Sequence, residues 1–456
     1  MPLTFDLSSL KNVYFAGIGG ISMSSLALIL KSRGVAVSGY DFKKSETTAM
    51  LEAKGISIDY TYDTVDLSGF DTVVYTAAIK EEDPILVRAR EMSLLILARA
   101  ELLGAITGGY RHSVGVAGTH GKSTTTGMLS EIMLKADNDS TILGGAVIPS
   151  LGSTYRVGKG ENAVFEACEY KNSYHSMRPT IKVILNVELD HVDFFGNLDN
   201  VIASFRQYID TPGINGENIA VVNLDCDNAV KAAQGTSADV KYFSINGEAD
   251  IYAKNIDLST GFGIFDVYEK GEKYLFTAQL SVPGIHNVSN ALAAICSARF
   301  CNVSIDAIKD GLLAFTGVKR RFEKVGIHPT GAQIIDDYAH HPDEIIATLK
   351  SAKAVAKGKV ICVFQPHTYS RTKALLNDFA SSLSLADKVI LAPIYAARET
   401  NTYGISSDDV AHLIDGAVSL GSFEEIREHL LKVAGKDDLI LTMGAGDINL
   451  LFISAL

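Results

Sequence analysis

Residues 114–129 read VGVAGTHGKSTTTGML, an apolar run that breaks into glycines, a lysine and hydroxyls before a helical pattern sets in. A strand, a glycine turn and a helix start, in that order, make a cradle for phosphate. Gly115, Gly118 and Gly121 let the backbone aim N–H groups at an anion. Lys122 adds a cation, Ser123 offers a hydroxyl to Mg2+, and the helix dipole favours negative charge. ATP is the expected ligand. The strict pattern G-x-x-x-x-G-K-[ST] is not met, because Val116 stands five positions before Gly121, so the flanking strand and helix carry the reading. A structural turn rich in Gly and Thr is the competing one. Lys122 is expected to be partly exposed without ATP and to touch little of the core.

Around this stretch, strand and helix patterns alternate along the whole chain. The N-terminal side runs NVYFAGI, GISMSSLALILKSRG, VAVSGYD and DTVVYTAAI, a Rossmann-like series. Gly17, Gly19 and Gly20 follow its first strand, and Asp41 ends the second, where an acid can take a ribose hydroxyl. The fingerprint G-x-G-x-x-G fails at Ser22, which leaves a dinucleotide, a non-redox nucleotide and a structural turn all open. Beyond the phosphate loop, AVFEACE, IKVILNVELDH and NIAVVN read as buried strands of a mostly parallel sheet. From Ala249 to Val282 the pattern suits a small, peripheral antiparallel ribbon, and a helix is expected near Asn287, with Asn287 as its N-cap. AQIIDDYA, KVICVFQP, KVILAP and DLILTMGAG then suggest a further α/β domain. At 456 residues the chain is too long for one core, and about three domains are expected.

Composition narrows the partners. A net charge of −12 argues against nucleic acid or an anionic membrane, so a phosphate-rich ligand must be held by local donors. The five cysteines, Cys168, Cys226, Cys296, Cys301 and Cys362, are scattered and include no C-x-x-C, which points to a reducing cytoplasm rather than to disulfides or zinc. The first residues, MPLTFDLSSLKN, lack a basic signal, and no membrane insertion is expected.

Chemistry-bearing residues gather at strand ends. Glu166 closes one strand, and Asp190, His191 and Asp193 follow another. Oxygen donors suit Mg2+, so Ser123 with Glu166 is a plausible metal pair. His191 is a less usual ligand, and a helix-capping or solvated histidine is its alternative. In the last third, Arg320 and Arg321 read equally well as solvated or functional. The adjacent histidines before Pro342 lack a further ligand at helical spacing, which disfavours zinc.

The ordered set GIGG, GTHGKST, EACE, NVELDH, PGIHNVSNA, RRFE, DDYAHHP, QPHTYSRT and GAGD resembles the Mur ligases over nearly the whole chain. That resemblance implies an α/β fold of three domains. They are a Rossmann-like UDP-sugar domain at 1–108, a central phosphate-loop ATPase domain at 109–316 and a Rossmann-like domain that docks the amino acid at 317–456. It implies that Gly118, Thr119, His120, Gly121, Lys122, Ser123 and Thr124 hold ATP phosphates. Ser123, Glu166 and His191 would bind Mg2+, two ions in all, and Asn287 and Asn290 would meet adenine. Arg321, with Arg320, would reach the terminal phosphate, and Asp336 or Asp337 the ribose. Tyr338, His340 and Arg371 would take the incoming amino acid, with His340 as base or positioning group. Gly17, Ile18, Gly19, Gly20, Asp41, Thr76, Ala77 and Ala78 would line the UDP-sugar site.

Within the family the alanine-adding branch fits best. The implied reaction joins L-alanine to the lactyl carboxylate of UDP-N-acetylmuramate through an acyl phosphate, giving ADP and phosphate in peptidoglycan precursor synthesis, by a monomer or homodimer that closes its domains. Related ligases use a carbamylated lysine after the D-H motif, but residues 192–230 contain no lysine. A branch that attaches a whole murein peptide is the rival, and the GAGD ending speaks against it. A nicotinamide-dependent oxidoreductase is disfavoured by Ser22, and a silent ATP-dependent binding module is the third alternative. Three motifs depart from the family pattern: in GISMSSLA, Ser22 and Ser25 stand for glycines, in EACE Cys168 stands for an acid, and Thr368 stands for an arginine.

Overall fold

The computed structural model describes residues 7–76, 79–213 and 215–452. The chain forms two compact units. One takes in the residues up to Tyr252 with Tyr268–Lys273 and Asn290–Gly311, and the other Ala253–Val267, Tyr274–Ser289 and the residues from Leu312 onward.

The first unit holds two sheets. The N-terminal sheet has the strand order Ser57–Asp59, Ala36–Tyr40, Asn12–Ala16, Thr72–Tyr75, Leu95–Ala98, all parallel. The order reverses beside Asn12–Ala16, and the helix Ile21–Ser32 starts just beyond that strand's carboxyl end, the position at which open α/β sheets present a crevice.

In the second sheet the order is Asp239–Ser244, Ile219–Asn223, Ile181–Ile184, His112–Ala117, Asn162–Glu166, Thr141–Ile148, Ser153–Arg156. It is mixed rather than uniformly parallel, because Thr141–Ile148 and Ser153–Arg156 form an antiparallel hairpin at its edge. His112–Ala117, from which the phosphate loop springs, lies between two parallel neighbours and is buried from Ser113 onward. This is why it reads as a continuous apolar run. Ile251–Asp257 begins by pairing parallel with Asp239–Ser244, at Phe243↔Ile251. Phe262–Glu269 and Lys273–Pro283 are the strands of the ribbon region.

One apolar cluster serves both sheets of the first unit. Phe15, Leu26 and Leu30 share it with Phe165, Val187 and Phe205. The helix Arg99–Gly108 meets the backbone of Ser176 at Gly104, where a Cβ would collide with the Ser176 carbonyl.

The six-stranded sheet of the second unit runs Glu323–Ile327, Gln333–Asp337, Leu439–Met443, Val360–Phe364, Lys388–Leu391, Val418–Ser419. Only its first pair is antiparallel. Alternate residues feed opposite faces, so Ile335, Cys362 and Phe364 enter one core and Ile334, Ile361 and Val363 the other. The helix expected near Asn287 spans Ile285–Phe300, so Asn287 is not its N-cap. Gly284, at φ +97, lets the chain turn from strand to helix three residues earlier than the capping signal suggests. Asn287 instead lies in the first turn, its side-chain amide donating to the Pro283 carbonyl at 2.7 Å. Among the described residues no helix is long and apolar enough to cross a membrane.

Candidate active site

The phosphate loop is fixed from beneath. The Thr119 N–H donates to the Asn186 carbonyl at 3.1 Å, and the His120 N–H to the Asn186 side-chain oxygen at 2.7 Å. Gly121 holds φ +84 at the N-cap of Lys122–Lys135, a left-handed conformation that glycine adopts without strain. No side chain caps that helix, so its first N–H groups are left for an anion. A Cβ on Gly121 would meet Asn290 Oδ1 at 2.8 Å, which places that expected adenine residue against the loop.

Lys122 departs from expectation. Its side chain is 15% exposed and ion-paired at 3.0 Å with Glu169, itself 3% exposed. Its ammonium also donates to the Gly118 carbonyl at 2.6 Å. Burial alone would lower the lysine's pKa, but the carboxylate of Glu169, with Cys168 and Glu166 nearby, raises it and keeps the group cationic. Lys122 is partly exposed as expected, but its ion pair was not foreseen: the segment that follows the strand Asn162–Glu166 brings a second acid to the loop.

Ser123 Oγ donates to Glu166 Oε2 at 2.7 Å, so this expected metal pair is assembled. Hydroxyl and carboxylate oxygens are the hard donors that Mg2+ takes alongside water and phosphate, so the donor set fits that ion. Gly145 lies beneath Glu166, where a Cβ would collide with the carboxylate. Among the described residues no group of three or more His, Cys, Asp and Glu side chains stands together as a closed metal cage. His191 occupies the N-cap position of the short helix Val192–Phe195 at φ +50, but its side chain makes no cap bond. Its Nε2 lies 3.7 Å from Glu169 and 3.8 Å from Asp190.

The N-terminal glycine turn is built differently. Gly17 N–H and Ile18 N–H both donate to the Tyr40 carbonyl, at 2.8 and 3.0 Å, and Gly19 N–H donates to Asp41 Oδ2 at 2.8 Å. Asp41 therefore shapes the turn. Gly17, Gly20, Asp41 and Thr76 line a cleft of about 700 Å3 together with Tyr40, Phe42 and Tyr62. Tyr40 and Tyr62 stack at 4.7 Å, and Phe42 is 73% exposed. Ala77 and Ala78 lie outside the described residues.

In the second unit, Arg320 Nε pairs with Asp336 at 3.3 Å and its Nη2 donates to the Gly444 carbonyl at 2.7 Å. Arg320 and Arg321 both lie over the Tyr338 ring, at 4.9 and 5.2 Å. The Thr442 hydroxyl donates to Asp336 Oδ1, and Asp337 accepts from the N–H groups of Phe322 and Ala339. Both buried carboxylates are thus engaged in holding the Arg320–Phe322 loop, where Arg320 and Phe322 sit at φ +63 and +52. Burial pushes Asp337 up to about 6. His340 is pushed down to about 4, mainly by burial, and so stays neutral at pH 7. Its Nδ1 lies 3.0 Å from the Tyr338 carbonyl and 3.3 Å from Glu344, so Nδ1 donates and Nε2 is the acceptor. Arg371 lies on the helix Tyr369–Ala374, whose N-cap Thr368 takes φ +66, strained for a β-branched residue.

Three side chains at these sites escaped the sequence reading. Glu169 was legible as the second acid of EACE. Phe42 directly follows Asp41, but an exposed aromatic carries no spacing signal. Tyr62 is distant in sequence and had none.

The fold and its uncapped, lysine-bearing turn define an α/β phosphate-loop protein with a second cleft, lined by a glycine turn and aromatic rings, on a Rossmann-like sheet. Family models match along the chain in order: Mur ligase family, catalytic domain, at residues 12–111, Mur ligase middle domain at 116–298, and Mur ligase, glutamate ligase domain, at 320–446. A UDP-N-acetylmuramate–L-alanine ligase of Caldicellulosiruptor saccharolyticus is 44% identical over 440 residues, covering 96% of each chain. The crystal structure of a UDP-N-acetylmuramate-alanine ligase from Thermotoga maritima superposes with a TM-score of 0.79 at 28% identity over 97% of each chain. A murein peptide ligase of Psychrobacter arcticus shares the fold, with a TM-score of 0.69 at 24% identity over 97% of this chain and 98% of that one. This chain belongs to the Mur ligase family.

Proposed function

We propose that this protein joins L-alanine to the lactyl carboxylate of UDP-N-acetylmuramate at the expense of ATP, yielding UDP-N-acetylmuramoyl-L-alanine, ADP and phosphate. The observation that carries the reading is the 44% identity, over 96% of both chains, to a ligase named for this reaction. In functional terms residues 1–108 would hold the sugar nucleotide, 109–316 the ATP and 317–456 the amino acid.

A carboxylate is a poor acceptor for an amine, so the terminal phosphoryl group of ATP would first pass to the lactyl oxygen and create a leaving group. Lys122 and the helix N-terminus would stabilise charge on the moving phosphoryl oxygens, and Arg321 would join them when substrates are bound. Ser123 and Glu166 would hold Mg2+, which when bound supplies charge neutralisation to the phosphates. His191, paired with Glu169, has the weaker claim to a second ion. Asn287 and Asn290 would meet adenine, and Arg320 would brace Arg321. Asp336 or Asp337 would meet the ribose, and both also hold the arginine loop, Asp336 through Arg320 and Asp337 through the Phe322 N–H. Tyr338 and Arg371 would bind alanine, and neutral His340 can accept a proton from its ammonium at Nε2 or orient the amine. Tyr40, Phe42, Tyr62 and the Gly17–Gly20 turn would receive the uridine end, and we infer a cytoplasmic enzyme.

Phosphate release that requires UDP-N-acetylmuramate and L-alanine together tests the reading, and release driven better by a murein tripeptide would overturn it. With oxygen-18 in the lactyl carboxylate, one labelled oxygen is expected in inorganic phosphate. Label in AMP would overturn the acyl phosphate route.

A further inference from the structure

Ser22, Ser25 and Cys168 line one cleft of about 200 Å3, together with Arg99, Gly145 and the metal-pair acid Glu166. Ser22 and Ser25 come from the helix that follows the first glycine turn, Arg99 begins the helix after the last strand of the N-terminal sheet, Glu166 ends a strand of the second sheet, and Cys168 follows it by two residues.

Arg99 is the uncommon member. It is half-buried, and among the described residues no carboxylate pairs with it. The nearest acid in sequence, Glu101, is used elsewhere, accepting the Ala98 N–H at 2.7 Å in the cap of the same helix. The bond that orients the guanidinium is Arg99 Nη1 to Ser22 Oγ, at 3.0 Å. A half-buried guanidinium without an anion is costly, and its planar fork matches a carboxylate or phosphate better than any neutral group. A glycine at position 22 would remove the oxygen that holds the fork.

We propose that Ser22 is a positioning residue that aims Arg99 at an oxyanion of the sugar nucleotide, either a phosphate oxygen or the lactyl carboxylate, on the cleft wall shared with Glu166. This assignment rests on the function proposed above and adds to it a device built from Ser22 and Arg99. It also accounts for Ser22 as something other than a defect in the dinucleotide fingerprint.

Calorimetry on the full-length protein without ATP tests it, with UDP-N-acetylmuramate and with UDP-N-acetylglucosamine, which has the same diphosphate and no lactyl carboxylate. Arg99→Gln should weaken UDP-N-acetylmuramate by roughly 10- to 100-fold, the span for a lost charge-assisted bond. Ser22→Ala should weaken it about 3- to 10-fold, and in turnover raise KM for the sugar nucleotide more than it lowers kcat, a split that a general packing defect would not give. Equal loss for both nucleotides identifies the phosphate as the partner, and loss confined to UDP-N-acetylmuramate identifies the carboxylate. Wild-type affinity in both variants overturns the proposal. Should Arg99→Gln fail to fold, Ser22→Ala, which deletes one oxygen, decides alone. Should the wild-type protein bind neither sugar nucleotide, the functional reading falls instead. Inorganic pyrophosphate titrated against wild type and Ser22→Ala then decides the oxyanion site separately: weaker binding by the variant supports it and equal binding overturns it.

Discussion

The two glycine turns of the first unit start from one plan and end in different chemistry. Each follows a buried parallel strand and opens a helix. At Gly17–Gly20 the backbone N–H groups are consumed by the protein, two on the Tyr40 carbonyl and one on Asp41, and the adjoining side chains are an acid and aromatics. At Gly118–Gly121 the turn is pinned by Asn186, the helix start is left uncapped, and a buried cation stands beside it. A glycine turn is therefore not a phosphate site by itself. What surrounds it decides whether it is an anion cradle or a shaped wall for a neutral ring.

The sharpest break between the two is Lys122. Lys122→Ala should cost on the order of 10² to 10³ in turnover while leaving uridine nucleotide binding intact, measured by phosphate release and calorimetry. It should also destabilise the fold by about 3 to 5 kcal/mol, since it strands Glu169 in a buried site. Lys122→Ala with Glu169→Gln should recover most of that stability and none of the turnover. The sign with pH follows from the raised lysine pKa. The pair's stabilisation is whole below the ordinary lysine value of 10.5 and is lost as pH climbs through the raised folded value. Glu169→Gln should thus show its full stability deficit against wild type at pH 7, and the two unfolding curves should converge only at the alkaline end.

The next test exchanges the roles. Asp41→Ala removes the acceptor of the Gly19 N–H, and should weaken UDP binding roughly 10-fold, within the 1–3 kcal/mol typical of a stranded donor, without changing KM for ATP. An equal loss at both nucleotide sites would erase the contrast. The smallest effect is expected at Phe42, whose exposed ring offers a stacking face. Phe42→Ala should weaken uridine nucleotides about 2- to 10-fold by titration, and leave the melting temperature where it was.

The plan common to both turns was legible because strand, glycine and helix start are contiguous in sequence. So was the Ser123–Glu166 pair, since residues at strand ends converge whatever their separation. Glu169 was within reach of the same argument, but EACE was read for its first acid alone. The bond from Arg99 to Ser22 was out of reach, because it joins residues 77 apart through the packing of two helices. Asn287 shows the opposite failure. Its local capping signal was sound, yet Gly284 started the helix earlier and left the side chain a different carbonyl to serve.

The shared core beneath the two sheets has a consequence for what the enzyme can measure. Phe15 and Phe165 belong to one apolar cluster, and Gly104 rests directly on the Ser176 backbone, so the aromatic-lined cleft and the phosphate loop are mounted on one body. Their separation is then a fixed gauge length. A substrate that spans it is tested for reach as well as for chemistry: analogues with a shortened diphosphate bridge should satisfy one end or the other and go unreacted, however well either end is recognised.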